Sequence, residues 1–356
     1  MRLKNLLSKL LLAVIALAFS GAGAMAAELV KVPTAWLDRH ETFLIWYAKE
    51  QGWDKEEGLD IDIQYFASGK EILEALPSKA WVFAGMGDVS AIRCNVQHGA
   101  KIIGIANDEA TTSAVLVRAN SPILKVKGWN KDYPEVYGDP ETVRGKTFLT
   151  TGTTSSNYAL SSWLKVLGLT DADVVIKKMD QTQALASFDN NLGDGVALWS
   201  PYVFTGLEKK WQVAATLEKC RMGNPIMLVA DAKYAEEHPD VTAKFLKLCL
   251  RTVDVLQKES LENLASEYQR FYLEWAGKNY SKAICLADLK AHRVYNLNEQ
   301  LMLFDTCSGE SQVHKWQADI VGFLNRPGAS EHIDLQSINT NATDTFLKML
   351  LEEKTK

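Results

Sequence analysis

Thr150-Thr151-Gly152-Thr153-Thr154-Ser155-Ser156-Asn157 places seven hydroxyl or amide side chains around one glycine, directly after an apolar run. Leu160, Trp163, Leu164 and Leu167 then recur at i, i+3, i+4 and i+7, so a helix begins inside the polar run, and Gly168 stops it. A helix start leaves backbone N–H groups without partners and favours negative charge. Small polar side chains there let an anion come close. One Ser or Thr suffices for an N-cap, and this run is longer than capping needs. Thr153, Thr154, Ser155, Ser156 and Asn157 therefore read as a loop that holds a ligand without any catalytic group.

The surrounding chain alternates between strand and helix patterns. Strands are expected at 29–32, 60–66, 81–86 and 101–106, with helices at 42–51, 70–76 and 89–98 between them. The pattern restarts with strands at 114–117, 146–151, 174–176 and 196–199, a helix near 182–191 and another from Ser200-Pro201, and it returns to a strand at 226–230. Long amphipathic helices follow at 239–257 and 261–277, with two more near 314–325 and 344–353. Such βα alternation builds α/β folds with mostly parallel sheets, which bind ligands outside the carboxyl ends of their strands. That rule gathers Trp36, Glu41, Gly69, Gly87, Asp88, Trp199, Ser200 and Tyr202 with the hydroxyl loop, and adds Asp108 and Thr112 where the two halves join. Each has a plainer reading. The tryptophans suit a core, Asp88 suits a helix cap, Asp108 and Glu109 suit a hinge, and His40 reads as a surface residue.

Arg2, Lys4 and Lys9, the apolar stretch 10–19 and Ala24-Met25-Ala26 have the order of a secretory signal, with cleavage expected near Ala26. Its removal takes the formal net charge from −5 to −8. With an acidic balance and no basic stripe, nucleic acid is not an expected partner. The first cysteine is Cys94, which argues against a lipid anchor, and no later stretch is apolar enough to span a membrane, so an exported, soluble product is expected. Roughly 330 remaining residues suggest two lobes. Cys249 reads as a core thiol, and the pairings Cys285–Cys307 and Cys94–Cys220 both stay open. With neither Cys-x-x-Cys nor His-x-x-His, no metal or other cofactor is expected. Gly145-Lys146-Thr147 lacks the upstream glycine of a phosphate loop, and no Gly-x-Ser-x-Gly or Cys–His arrangement suggests a hydrolase.

Several segments, in order, resemble the periplasmic solute-binding proteins of ABC importers for taurine, aliphatic sulfonates and nitrate. They are Trp36 after the first strand, Ala67-Ser68-Gly69-Lys70-Glu71, Gly85-Met86-Gly87-Asp88-Val89, Val143-Arg144-Gly145-Lys146, the loop 152–160, Leu167-Gly168-Leu169, Trp199-Ser200-Pro201-Tyr202 and the run 231–239. The resemblance covers 29–257. It implies a two-lobed type 2 periplasmic binding fold: a signal peptide at 1–26, lobe one at 28–112, lobe two at 113–222, and the rest of lobe one with a helical extension at 223–356. It also implies a monomer that captures a small organic anion or zwitterion and delivers it to an inner-membrane permease and its ATPase. The alternatives are an enzyme of the same fold, akin to thiamine-pyrimidine or menaquinone pathway proteins, and a nitrate-binding or sensing protein. Two departures stand out. Ser200 occupies a position where relatives that bind an amine often carry an acid, so Asp88, Glu41 or Asp108 would have to serve. The tail after Gly277 is also longer than the resemblance accounts for, and it is expected to pack on lobe one.

Overall fold

The computed structural model describes residues 28–326 and 332–355, so the expected signal sequence and cleavage site lie outside the described residues. The strands are β1 (Val30–Trp36), β2 (Leu59–Tyr65), β3 (Phe83–Gly87), β4 (Lys101–Asp108), β5 (Ala114–Val117), β6 (Thr147–Thr150), β7 (Val175–Lys178), β8 (Gly195–Leu198), β9 (Gln212–Thr216) and β10 (Pro225–Ala230). They form two five-stranded sheets, ordered β2-β1-β3-β10-β4 and β7-β6-β8-β5-β9.

Each sheet is mixed. β1 runs parallel to β2 and β3, and β6 runs parallel to β7 and β8. β10 is antiparallel to β3 and β4, and β5 is antiparallel to β8 and β9. The two reversed strands are those that follow a crossing between lobes. A chain arriving from the other lobe enters its new sheet at the carboxyl ends of the existing strands, so it runs against them. The five-residue β9, with its small side chains, is absent from the sequence reading.

The central strands are buried throughout, as β3 and β10 show, whereas on edge strand β2 burial fades from Leu59 and Ile61 to an exposed Tyr65. Phe83 stacks on Phe245 of the helix Pro239–Lys258 at 4.4 Å, which ties the first sheet to its covering helix. The second lobe closes Phe148 edge-on against Trp163 of the helix Ser155–Val166 at 5.3 Å. In the crossings, Glu109 N donates to Asn224 O at 2.9 Å and Asn224 Nδ2 donates to Ser113 Oγ at 2.7 Å, so the two segments are pinned to each other.

The C-terminal helices divide between two places. Helices Leu261–Glu274, Lys282–Ala291, Leu297–Phe304 and Thr345–Thr355 join the core of lobe one. The helix Gln312–Leu324 instead packs Ile320, Val321, Phe323 and Leu324 against Val89 and Ile92 of lobe one and Tyr158, Ala159 and Leu217 of lobe two. Its apolar face spans both lobes because Tyr158 turns its ring out of lobe two onto Phe323, with centroids 5.0 Å apart.

All five cysteines are free, so neither of the two pairings forms. Cys94, Cys220, Cys249 and Cys285 are buried and Cys307 is exposed. A thiol reagent should therefore add one group to the native protein, at Cys307, and five after denaturation, as counted by intact mass. The native reaction should be slow at neutral pH, because the Asp305 carboxylate beside Cys307 pushes its thiol pKa up.

Candidate functional site

The carboxyl ends of the two sheets meet. A Cβ built on Gly87, the last residue of β3, would lie 3.8 Å from Ser155 Oγ at the start of the helix Ser155–Val166. Beyond β1, the Arg39 guanidinium lies 5.0 Å from the centroid of the Trp199 ring beyond β8. The Tyr202 hydroxyl donates to Asp38 Oδ2 at 3.1 Å. The interface between the lobes thus brings together the ends of β1, β3 and β8 with the hydroxyl run, and Gly69 packs behind it against Met86 and Ser90.

On the lobe-two wall, the hydroxyl run divides its labour. Ser156 Oγ is a structural hub: it lies 3.1 Å from both Thr150 Oγ1 and Thr154 Oγ1 and accepts from Thr151 N at 3.2 Å. Thr154 stands at the N-cap, but its Oγ1 donates to Thr151 O at 2.7 Å and makes no bond to the helix N–H groups. Thr153 holds a left-handed φ of +59°, and its N–H is 3.4 Å from Asn157 Oδ1. The helix start is therefore buried and lacks a side-chain cap, which leaves its N–H groups available to an anion.

The lobe-one wall has the opposite character. A Cβ on Gly85 would come within 2.5 Å of the Trp36 ring and 3.0 Å of Glu41 Cγ, so Glu41 packs directly over this glycine. Gly85 and Gly87 are two apart on β3 and face the same way. Ile226 pairs with Gly87 and also with Asn107 of β4, and directly opposed residues of antiparallel pairs share a face. Glu41, Ser155 and Asn107 thus stand over one face of the sheet. Both carboxylate oxygens of Glu41, both polar atoms of the Asn107 amide and Trp199 Nε1 are buried without a hydrogen bond among the described residues. Arg39 Nε lies 3.9 Å from Glu41 Oε2, and the same guanidinium ion-pairs with Glu109. Burial pushes the Glu41 pKa up against the pull of Arg39.

Other named residues are placed as follows. Trp36 donates its indole N–H to Thr34 Oγ1 at 2.6 Å and turns its ring toward Phe245 in the core. Gly69 gives room to Ser90, whose Cβ would be 2.8 Å from a Cβ at that position. Asp88 opens the helix Asp88–His98 and accepts from Val89 N at 2.7 Å, while its second oxygen is buried and unpaired. Burial raises its pKa well above the ordinary range. Asp108 accepts from Ala110 N at 2.9 Å and Asn224 N at 3.4 Å, and Thr112 Oγ1 donates to Glu109 O at 3.3 Å, so both belong to the crossings.

Ser200 donates to the carboxylate of Asp288, a residue of the tail. The other oxygen of Asp288 accepts from Tyr268 at 2.6 Å and Tyr272 at 3.0 Å. Burial raises its pKa against the influence of His292 and the two tyrosines. His292 reaches Glu109 at 3.5 Å and stacks on His40 with centroids 4.5 Å apart. His40 is therefore buried, not at the surface as its sequence position suggested. Burial and the neighbouring His292 lower its pKa well below 6.5. Arg39, Asn107, Asp288 and His292 were not singled out from sequence. For Arg39 the one available signal was its place in the segment after β1. Among the described residues, no group of three or more His, Cys, Asp or Glu side chains is arranged to hold a metal ion.

Residues 26–268 match the model of the NMT1-like family. A protein of Brachyspira hyodysenteriae named as an ABC transporter periplasmic binding protein is 28% identical over 228 residues, and the match spans 64% of each chain, a little under two thirds of that relative's length. A Bacillus subtilis protein named as an aliphatic sulfonates-binding protein is 27% identical over 313 residues, covering 86% of this chain and 84% of its own. Among solved structures, the periplasmic aliphatic sulphonate binding protein SsuA of Escherichia coli superposes with a TM-score of 0.66 at 16% identity, covering 86% of this chain and 96% of its own. The periplasmic nitrate-binding protein NrtA of Synechocystis PCC 6803 gives 0.70 at 13% identity, covering 92% and 89%. The fold is thus the two-lobed one of periplasmic binding proteins.

Proposed function

The chain belongs to the NMT1-like family, and on that premise we propose that it is the substrate-binding component of an ABC importer, acting in the periplasm as a monomer that holds a small zwitterion between its lobes and hands it unchanged to a permease and its ATPase. The names of the Brachyspira and Bacillus relatives support the importer role. The zwitterion rests on one observation: the uncapped helix start at Ser155 and a buried Glu41 carboxylate stand over the same face of the first sheet, and Glu41 has no hydrogen-bond partner among the described residues and only Arg39, at 3.9 Å, as an ion-pair neighbour. Two residues along β3, about 7 Å at the usual rise per residue, separate the positions over which these groups stand. The N–H groups of residues 155–157 and the Ser155 hydroxyl would take the ligand's anionic head. Glu41 and the Asn107 carbonyl would take a cationic nitrogen, and Trp199 Nε1 a further acceptor. A lone monoanion such as nitrate would leave Glu41 with Arg39 alone, at the cost of a poorly compensated buried charge.

Retention without turnover fits the use made of the polar groups. Ser200 gives its hydroxyl to Asp288, and His292 Nδ1 is 2.6 Å from Asp288 O, so Ser200, His292 and Asp288 are not wired as nucleophile, base and orienter. The test is calorimetric titration of the mature protein with taurine, propane-1-sulfonate and nitrate. Taurine should bind at least tenfold more tightly than its amine-free isostere, and nitrate weakest. Equal affinity for taurine and propane-1-sulfonate would overturn the zwitterion. A neutral compound retained in native mass spectrometry would overturn the anion site.

A further inference from the structure

We propose that the C-terminal extension, which lies beyond the residues matched by the family model, is part of the binding machinery, and that Arg326 is a positioning residue for the lobe-two ligand loop. This rests on the reading of residues 153–157 as that loop. Arg326 Nε and Nη2 donate to Asp171 Oδ2 at 3.0 and 2.9 Å, and Nη1 donates to Phe323 O at 2.9 Å. The planar group lies 4.0 Å from the centroid of the Phe323 ring. Asp171 is itself fixed, since its other oxygen accepts from Ser161 at 2.6 Å. This fork leaves Nη2 also pointing at Asn157 Oδ1, 3.3 Å away.

Asn157 Oδ1 is the same atom that Thr153 N approaches at 3.4 Å, and Thr153 is the non-glycine residue held at φ +59°. A β-branched residue in the left-handed region costs of order 1–3 kcal/mol and persists only where its surroundings enforce it. Arg326, through Asn157, supplies part of that enforcement and aims the helix start. Tyr158, the next residue, packs on Phe323, so the same tail segment fixes the first helical turn from its apolar side as well. At a second point the tail grips lobe two through Asp288 and Ser200. Because the helix Gln312–Leu324 also packs on Val89 and Ile92 of lobe one, lobe opening cannot leave these contacts undisturbed, and the extension links loop geometry to closure.

The experiment is residue-resolved hydrogen exchange on the ligand-free mature protein, comparing wild type with Arg326→Ala and Arg326→Lys. Because no ligand is present, it is independent of the zwitterion reading. A lysine preserves a point charge for Asp171 but cannot also reach Asn157 in the same plane. The Thr153 amide, which donates to Asn157 Oδ1, and the Tyr158 amide, which donates to Thr154 O, should exchange at least tenfold faster in both variants, while the helix Gln312–Leu324 stays protected in Arg326→Lys and loosens in Arg326→Ala. Unchanged exchange at Thr153 and Tyr158 in Arg326→Ala would overturn the proposal. So would full protection of both amides in Arg326→Lys, which would mean that only the ion pair to Asp171 matters.

Discussion

Glu41→Gln should raise the stability of the ligand-free protein and remove most of its affinity for ligand. The carboxylate is fully buried, accepts no side-chain hydrogen bond among the described residues and has Arg39 nearby, with Nε 3.9 Å away and an ion pair to Glu109 already made. A charge in that setting costs several kcal/mol of desolvation that the ligand-free protein does not recover, so the neutral isostere should be more stable by about 1–3 kcal/mol at pH 7. The sign with pH follows from the direction of the shift. Burial raises the folded-state pKa of Glu41 above its ordinary 4.5, so the folded state binds the extra proton. Its contribution is fully present below 4.5 and is lost as pH rises through the raised value. His40 runs the other way. Its pKa is lowered from 6.5, so its contribution is present above 6.5 and is lost as pH falls, but it does so in both proteins and cancels in the difference. The gain from Glu41→Gln, read from urea unfolding, should therefore be largest at neutral pH and vanish toward pH 4. In the opposite direction, a ligand nitrogen that loses a desolvated charged partner should bind about 100-fold more weakly, about 2.7 kcal/mol. A variant less stable than wild type at pH 7 would mean that Glu41 is compensated within the protein, and the cationic half of the ligand would lose its support.

Much of this was legible in the chain because the fold repeats a simple pattern. The βα alternation located β1 through β8 and β10, and the hydroxyl run located a helix start whose side chains bond one another and the preceding turn and leave it uncapped. Charges brought together from distant positions were not legible. Ser200 and Asp288 are 88 residues apart, and nothing near Asp288 shows that two tyrosines and a serine would converge on it. The helices Lys282–Ala291 and Leu297–Phe304, which carry or flank Asp288 and His292, were missed with them. His40 misled for a related reason. The helix His40–Glu50 is buried on nearly all sides, Phe43, Leu44, Ile45 and Trp46 in succession, so the polar residues at its start are interior. In an amphipathic helix, which sequence periodicity detects best, the same residues would have been at the surface.

Arg39→Ala should be the most destabilising single change among the cleft residues. Its guanidinium ion-pairs with Glu109, lies near Glu41 and covers the Trp199 ring at 5.0 Å. It also acts at longer range, lowering the otherwise raised pKa values of Asp38, Asp88 and Asp288. Lys278, partly exposed, lies 3.9 Å from Asp38. Removing Arg39 thus leaves Glu109 with His292, 3.5 Å away, as its remaining partner and leaves the other buried carboxylates to repel one another, and breaking a buried pair from one side costs about 3–5 kcal/mol. The same carboxylates dictate how the loss changes with pH. Without Arg39 the raised folded pKa values of Asp38, Glu41, Asp88 and Asp288 rise further, so these groups take up protons on acidification and the penalty relaxes. Urea unfolding at pH 7 and at pH 5 should show a smaller difference between wild type and Arg39→Ala at the lower pH. Adding Glu109→Gln to Arg39→Ala should return part of the stability at pH 7, because the Glu109 charge is then gone while the cavity left by the arginine remains. A loss of the same size at both pH values, with no recovery in the double variant, would assign the effect of Arg39 to packing against Trp199 and not to charge.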